Sequence, residues 1–423
     1  MSLVPSIIPA VISQHADEAS FLWTLRNGAV VAPHYGLDDL ARLDGRIEAH
    51  FDALRIAGEE GWSLLEERLA FEESGEVFAA SALAFETKNE PHIQKVLEVV
   101  TKESVLTEGV VSALGWLSFE QVAEHIKNFL GARAPLLRRI GIAGCAVHRQ
   151  NPDAALADAL MSDDFLLKGR ALRAVGELGR ADLVSKVLPS LSAENEKVRL
   201  SAAWSAALLS SDGQALNALK TLAEGASPHS EKSMQLLARR LSLADAKVWQ
   251  KKLSQNLSQR RLAIITAGAI GDPEFIPWLI DQMKIPPLAR PAGEALTMIT
   301  GVDLAYRDLE RKPPEDFQSG PTEDPNDENV EMDPDDNLPW PEPALLQKWW
   351  EQNRSQFQSG TRYLLGKPMT VEWLKTVLRD GRQRQRTAAA LELAIRQPGQ
   401  TLFNVAAPGF RQQQVLGKGE VIR

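Results

Sequence analysis

The residues able to do chemistry are few and poorly placed for it. Seven histidines and a single cysteine, Cys145, are spread over 423 residues. One thiol supplies neither an internal disulfide nor a cysteine-based zinc site. Glu124-His125 is the one place where a histidine adjoins a carboxylate, and it reads as a core or surface histidine. Asp324-Pro-Asn-Asp-Glu-Asn and Asp333-Pro-Asp-Asp have the carboxylate density of a calcium loop. An EF-hand needs Gly at its sixth position and Glu at its twelfth, and neither stands in register here. That run reads as a solvated acidic loop able to dock on a basic partner. No Gly-x-Ser-x-Gly elbow and no Gly-x-x-x-x-Gly-Lys-Ser/Thr loop occurs. The expectation is a chain that is not an enzyme, with no catalytic residue, cofactor or metal.

What does recur is arginine. Arg139-Ile-Gly-Ile-Ala-Gly, Arg170-Ala-Leu-Arg-Ala-Val-Gly, Arg199-Leu-Ser-Ala-Ala-Trp and Arg261-Leu-Ala-Ile-Ile-Thr-Ala-Gly are copies of one pattern, with a weaker copy at Arg290. Successive arginines lie 31, 29, 62 and 29 residues apart. The longest gap holds a drifted copy near Lys232. Stepping back by the same period reaches Glu108 and then Glu76, which gives about eight units over residues 76–304. The recurring arginine reads as a structural tie to acidic residues of the preceding turn, such as Asp163 or Asp164 before Arg170. The sharper alternative is a phosphate-binding row.

Each unit divides into two short helices. The first is rich in Ala and Gly, which lets helices approach closely. A turn such as Gly179-Arg180-Ala181-Asp182 or Gly271-Asp272-Pro273 follows. The second is amphipathic, as in Leu183-Val184-x-x-Val187-Leu188. A 31-residue helix pair cannot bury its own apolar face, so the units must stack. The fold class expected is all-α: an α-solenoid of HEAT-like pairs with a helical N-terminal cap and a disordered acidic insertion.

The flanks break the period. Over residues 1–75, Leu37, Leu40, Leu43, Ile47, Phe51 and Leu54 mark one amphipathic helix of about 20 residues, and the region reads as a cap. Residues 305–342 combine prolines with acid. From Asp303 to Glu342 there are 14 acidic and three basic residues, so this stretch carries −11 of a total of −9 and leaves the rest near neutral. A disordered linker is expected there, dispensable for folding. Residues 343–423 read as a helical region with one further repeat-like unit at Arg386 and a frayed end.

Composition is ordinary for a globular protein, with 44% hydrophobic and 24% charged residues. No run of 18 apolar residues marks a membrane span. Met1-Ser2-Leu3-Val4-Pro5 lacks the basic and apolar regions of a signal peptide. A cytoplasmic protein with no membrane partner is expected, its oligomeric state open.

Three segments carry a resemblance. They are Leu40–Gly58, containing Arg42-Leu-Asp-Gly-Arg-Ile, with Gly61-Trp62; the repeat block; and Gly381–Ala394, containing Arg386-Thr-Ala-Ala-Ala-Leu, with Pro398-Gly399. Together they resemble a proteobacterial family of HEAT-like-repeat proteins, some of them encoded close to type VI secretion genes. The resemblance implies the solenoid and a bacterial setting, and supplies no catalytic residues. HEAT-like hydroxylases hold iron with His-Glu pairs, and no His-Glu dipeptide occurs here. A nucleic-acid binder wants a basic stripe with interleaved aromatics, which the second helices lack.

The leading expectation is therefore a non-catalytic protein-binding solenoid. Its role would be that of an immunity protein or adaptor for a type VI effector, with a secreted toxin or secretion component as partner. The alternative is a HEAT-like enzyme or nucleic-acid-binding protein. Partner-binding residues are expected on the second helices, which would line a concave face: Lys95, Glu98, Glu124, Lys127 and Lys186, with Trp249 and Trp278 as anchors. Trp116 and Trp204 read as core, and Trp340 as a further anchor.

Overall fold

A computed structural model describes residues 7–225, 229–315, 317–322 and 332–417 of the chain. It is mostly helical and divides into two compact units. One holds the chain up to Leu209 together with the stretch from Pro398; the other runs from Ser210 to Gln397.

The first unit begins with α1 (Pro9–Ala29), α2 (Leu37–Ala57) and α3 (Glu59–Arg68). The heptad-like apolar spacing of α2 is realised, and Gly58 closes the helix at a φ of 59°. Then come α4 (Ser74–Thr87), α5 (Glu90–Lys102), α6 (Thr107–Trp116), α7 (Phe119–Leu130), α8 (Pro135–Val147), α9 (Ala154–Leu160), α10 (Phe165–Glu177), α11 (Val184–Val187) and α12 (Glu196–Leu209). Alternate helices stack: α4 on α6, α6 on α8, α8 on α10, α10 on α12. These are the Ala/Gly-rich ones, and the contacts explain the composition. A Cβ on Gly109 would sit 2.5 Å from the Ser74 carbonyl oxygen in α4, and one on Gly176 would sit 2.6 Å from the Trp204 ring in α12. The helices between them start on side-chain caps: Asn89 accepts from the His92 amide, and Ser118 exchanges bonds with Gln121. Phe78 anchors the core with Trp23, Phe51 and Trp116 around it, ring centres 5.5–5.7 Å away.

The second unit holds α13 (Gly213–Glu224), α14 (Ser230–Arg240), α15 (Leu243–Ser254), α16 (Arg260–Ile270), α17 (Ile276–Gln282), α18 (Pro286–Thr300), α19 (Pro343–Asn353), α20 (Val371–Asp380) and α21 (Gln383–Arg396). Here α14 packs on α16 and α16 on α18. A two-residue antiparallel hairpin, β1 (Tyr363–Leu364) with β2 (Lys367–Pro368), precedes α20. Back in the first unit, α22 (Gly409–Val415) packs on α2.

Two expectations need correction. The tail is not frayed where it is described. The Leu402 amide donates to the Glu177 carbonyl, Asn404 donates to the Val147 carbonyl, and the Gly409 amide donates to the buried Asp44 carboxylate. Arg411 donates to the carbonyls of Gly115, Trp116 and Leu117. Those oxygens lie where α6, α8 and α10 end and have no partner inside their own helices. The tail crosses three helix ends and satisfies each.

The acidic stretch 305–342 is not a free linker over its described residues. Its ends pair, the Arg311 amide with the Trp340 carbonyl and the Glu342 amide with the Leu309 carbonyl. Leu309, Leu338 and Asp335 are buried. Arg261 forks onto the Asp335 carboxylate at 2.5 and 2.8 Å, and Arg290 takes the Asp333 carboxylate and the Asp335 carbonyl. Composition pointed to solvation, but a half-buried guanidinium group on α16 and a buried one on α18 draw these carboxylates in. Residues 323–331, including the Asp324-Pro-Asn-Asp run, lie outside the described residues.

Arg411→Ala and Asp335→Ala should each cost about 1–3 kcal/mol, the scale for hydrogen bonds to charged groups. Urea melts of the full chain check both. Midpoints equal to wild type would mean that neither segment is docked.

Candidate functional site

The second helices of the first unit present the charges expected of them. Lys95 and Glu98 on α5, Glu124 and Lys127 on α7, and Lys186 on α11 are all exposed. Each falls between apolar positions such as Val96 and Val100, or Val122 and Ile126, that point into the stack. Lys95 faces Glu66 at 3.5 Å, an exposed pair of little energetic weight.

The tryptophans separate. Trp249 is buried, 3% exposed, with its indole N–H donated to Glu224 at 2.8 Å. It packs with Ala246 and Leu253 on one stripe of α15, which corrects its reading as an anchor. Trp278 is half-buried on α17. Trp340 packs edge-on against Phe317 with the Arg290 guanidinium over its ring, so it pins the acidic segment. Trp116 and Trp204 are core.

Two of the residues weighed for chemistry, His125 and Cys145, are packed in the core. His125 is buried against the Phe85 ring, with Glu90 at 3.7 Å. Burial pushes the Cys145 thiol up to about 11, far from a thiolate nucleophile. Among the described residues no group of three or more His, Cys, Asp or Glu is placed to hold a metal. No helix among them is long and apolar enough to cross a membrane.

The recurring arginines do not share one partner. Arg139 donates to the Ser104 carbonyl and the Thr107 hydroxyl, and Arg199 to the carbonyls of Ala193 and Glu194. Arg170 does not reach Asp163 or Asp164. It turns along its own helix to Glu177 at 2.9 Å, while Asp164 caps α10 through the Leu167 amide. Arg261 and Arg290 take the acidic segment.

Two arrangements went unread in the sequence. One is an open cleft of about 300 Å³ lined by Arg55, Glu59, Trp62, Glu86, Asn89 and His92. Trp62 and His92 stack there, centres 3.9 Å apart and nearly parallel. Burial opposes the charge of Arg55, but Glu86 and Glu48 outweigh it and hold its pKa above the ordinary value. The other gathers Arg149, Arg170 and Arg173 around Glu177. Burial disfavours the charge of Glu177, but the three arginines hold its carboxyl below the usual range. Burial pushes Arg149 down to about 10, with Arg170 and Arg173 adding to the shift. The signal was present: residues 170, 173 and 177 share one helical face.

No family model and no curated protein matches the chain.

A histidine pair joins α1 to α2. His15 and His50 share a hydrogen bond between their Nδ1 atoms at 2.9 Å, which requires one neutral acceptor ring. Burial, then His15, lowers the pKa of His50; Glu18 opposes and Arg46 adds. The folded value lies below the ordinary 6.5, so the fold favours the neutral ring. Its contribution is therefore complete above pH 6.5 and is lost as pH falls through the folded value. Urea melts from about pH 7.5 to 5.5 should show a steeper loss for wild type than for His50→Gln. Parallel losses would contradict this.

Proposed function

We propose that the chain is a non-catalytic α-solenoid of HEAT-like helix pairs, of about 31 residues each, that binds another protein. The carrying observation is the exposed mixed-charge row on α5, α7 and α11, between apolar positions turned into the stack. Helix pairs that stack through their small-residue members leave the other members to present side chains, and such rows form extended binding faces. Alternating Lys and Glu suit a protein of complementary charge better than a polyanion. The resemblance of Leu40–Gly58 and Gly381–Ala394 supports a bacterial setting near type VI secretion. There the chain would serve in the cytoplasm as an immunity protein or as an adaptor for an effector.

The test uses the products of the genes adjacent to this one, co-expressed one at a time with the tagged chain. One of them should be retained in fixed ratio, and Glu98→Lys with Glu124→Lys should release it while leaving the melting temperature unchanged. Nucleic acid bound at low salt and lost at high salt, with no such protein retained, would overturn the reading.

A further inference from the structure

The second unit shows two of the recurring arginines on carboxylates. Arg261, near the start of α16, and Arg290, in the first half of α18, hold the Asp333-Pro-Asp335 segment through both carboxylates and one carbonyl. Glu231 also faces Arg261 at 3.1 Å, so two arginines meet three carboxylates. The Arg290 guanidinium lies over Trp340, 4.7 Å from the ring centre.

The first unit repeats the arginines without the carboxylates. Arg170 and Arg173 share Glu177 with Arg149, three guanidinium groups to one carboxylate. Arg173 lies over the Trp204 ring at 3.2 Å, as Arg290 lies over Trp340. The Arg149 Nε is spent on the Leu402 carbonyl. The Arg170 Nη1 is buried with no hydrogen-bond partner among the described residues. The Arg170 side chain is 20% exposed and that of Arg173 is 38% exposed, so a ligand meets the cluster first at Arg173. Half-buried positive charge in excess of its one counter-charge is costly, and a second carboxylate would offset it.

We infer that Arg170 and Arg173 form a site for the carboxylates of an acidic peptide segment, of the kind that Asp333 and Asp335 supply to the second unit. The site lies on α10, apart from the exposed row on α5, α7 and α11. It rests on the protein-binding reading only for the class of ligand. A purified peptide probes it directly, so its failure and the failure of partner capture are separate results.

The experiment is fluorescence anisotropy of labelled octa-aspartate with the full chain at low salt. Wild type should bind, and Arg173→Gln and Arg170→Gln should each weaken binding about tenfold, the loss of one charge-assisted bond. Arg180, already paired with Asp182 and Asn151, is the control for net charge. Arg180→Gln should stay within about twofold. Arg173→Gln is decisive if Arg170→Gln fails to fold. No binding by wild type, or equal losses in all three variants, overturns the site. A melting shift with inorganic phosphate at matched ionic strength, without peptide binding, overturns the acidic-peptide assignment.

Discussion

Helices stacked through alanine and glycine end in rows of carbonyl oxygens that their own backbones cannot satisfy. Many of the donors come from elsewhere in the chain. In the first unit the tail crosses the ends of α6, α8 and α10 with Arg411, Asn404 and the Leu402 amide. In the second, the hairpin segment does the same. Arg362 donates to the carbonyls of Ala238 and Leu241 at the end of α14, and the Tyr363 amide to Gly271 after α16. The amides of Leu365 and Gly366 donate to Met298 and Ile299 in the last turn of α18. The same device serves both units, with different residues.

Charge follows the same logic. The arginines in the stacked helices are at least partly withdrawn from water, and each finds oxygen: carbonyls for Arg139 and Arg199, a carboxylate on its own helix for Arg170, the acidic segment for Arg261 and Arg290. Two of the acidic residues, Asp333 and Asp335, thus have a structural use: Asp335 is buried between two cations. Trp340 and Phe317 add the apolar contact that composition understated.

Much of the helical layout was legible. The apolar spacing from Leu37 to Leu54 is α2, and the Ala/Gly runs mark the helices that stack. Exposure of Glu98, Glu124 and Lys127 follows from their places between apolar positions. Trp249 shows where attention to spacing would have served better, since residues 246, 249 and 253 form one stripe. The Arg170–Glu177 pair was readable as one face of a helix. The docking of the tail was not, because a side chain reaching carbonyls almost 300 residues away, as Arg411 does, leaves no mark in local pattern or composition. Nor was the hairpin, whose strands are two residues each.

Hydrogen exchange read by mass spectrometry on the full chain tests most directly whether these crossing segments are part of the fold. The amides of Leu402, Gly409, Tyr363, Leu365 and Glu342 are donors to the Glu177 carbonyl, the Asp44 carboxylate and the carbonyls of Gly271, Met298 and Leu309. The account predicts that peptides covering 338–342, 363–366 and 402–412 exchange as slowly as the helices they cross. Exchange of those peptides at the rate of an unstructured chain, while α6, α10 and α16 stay protected, would contradict it.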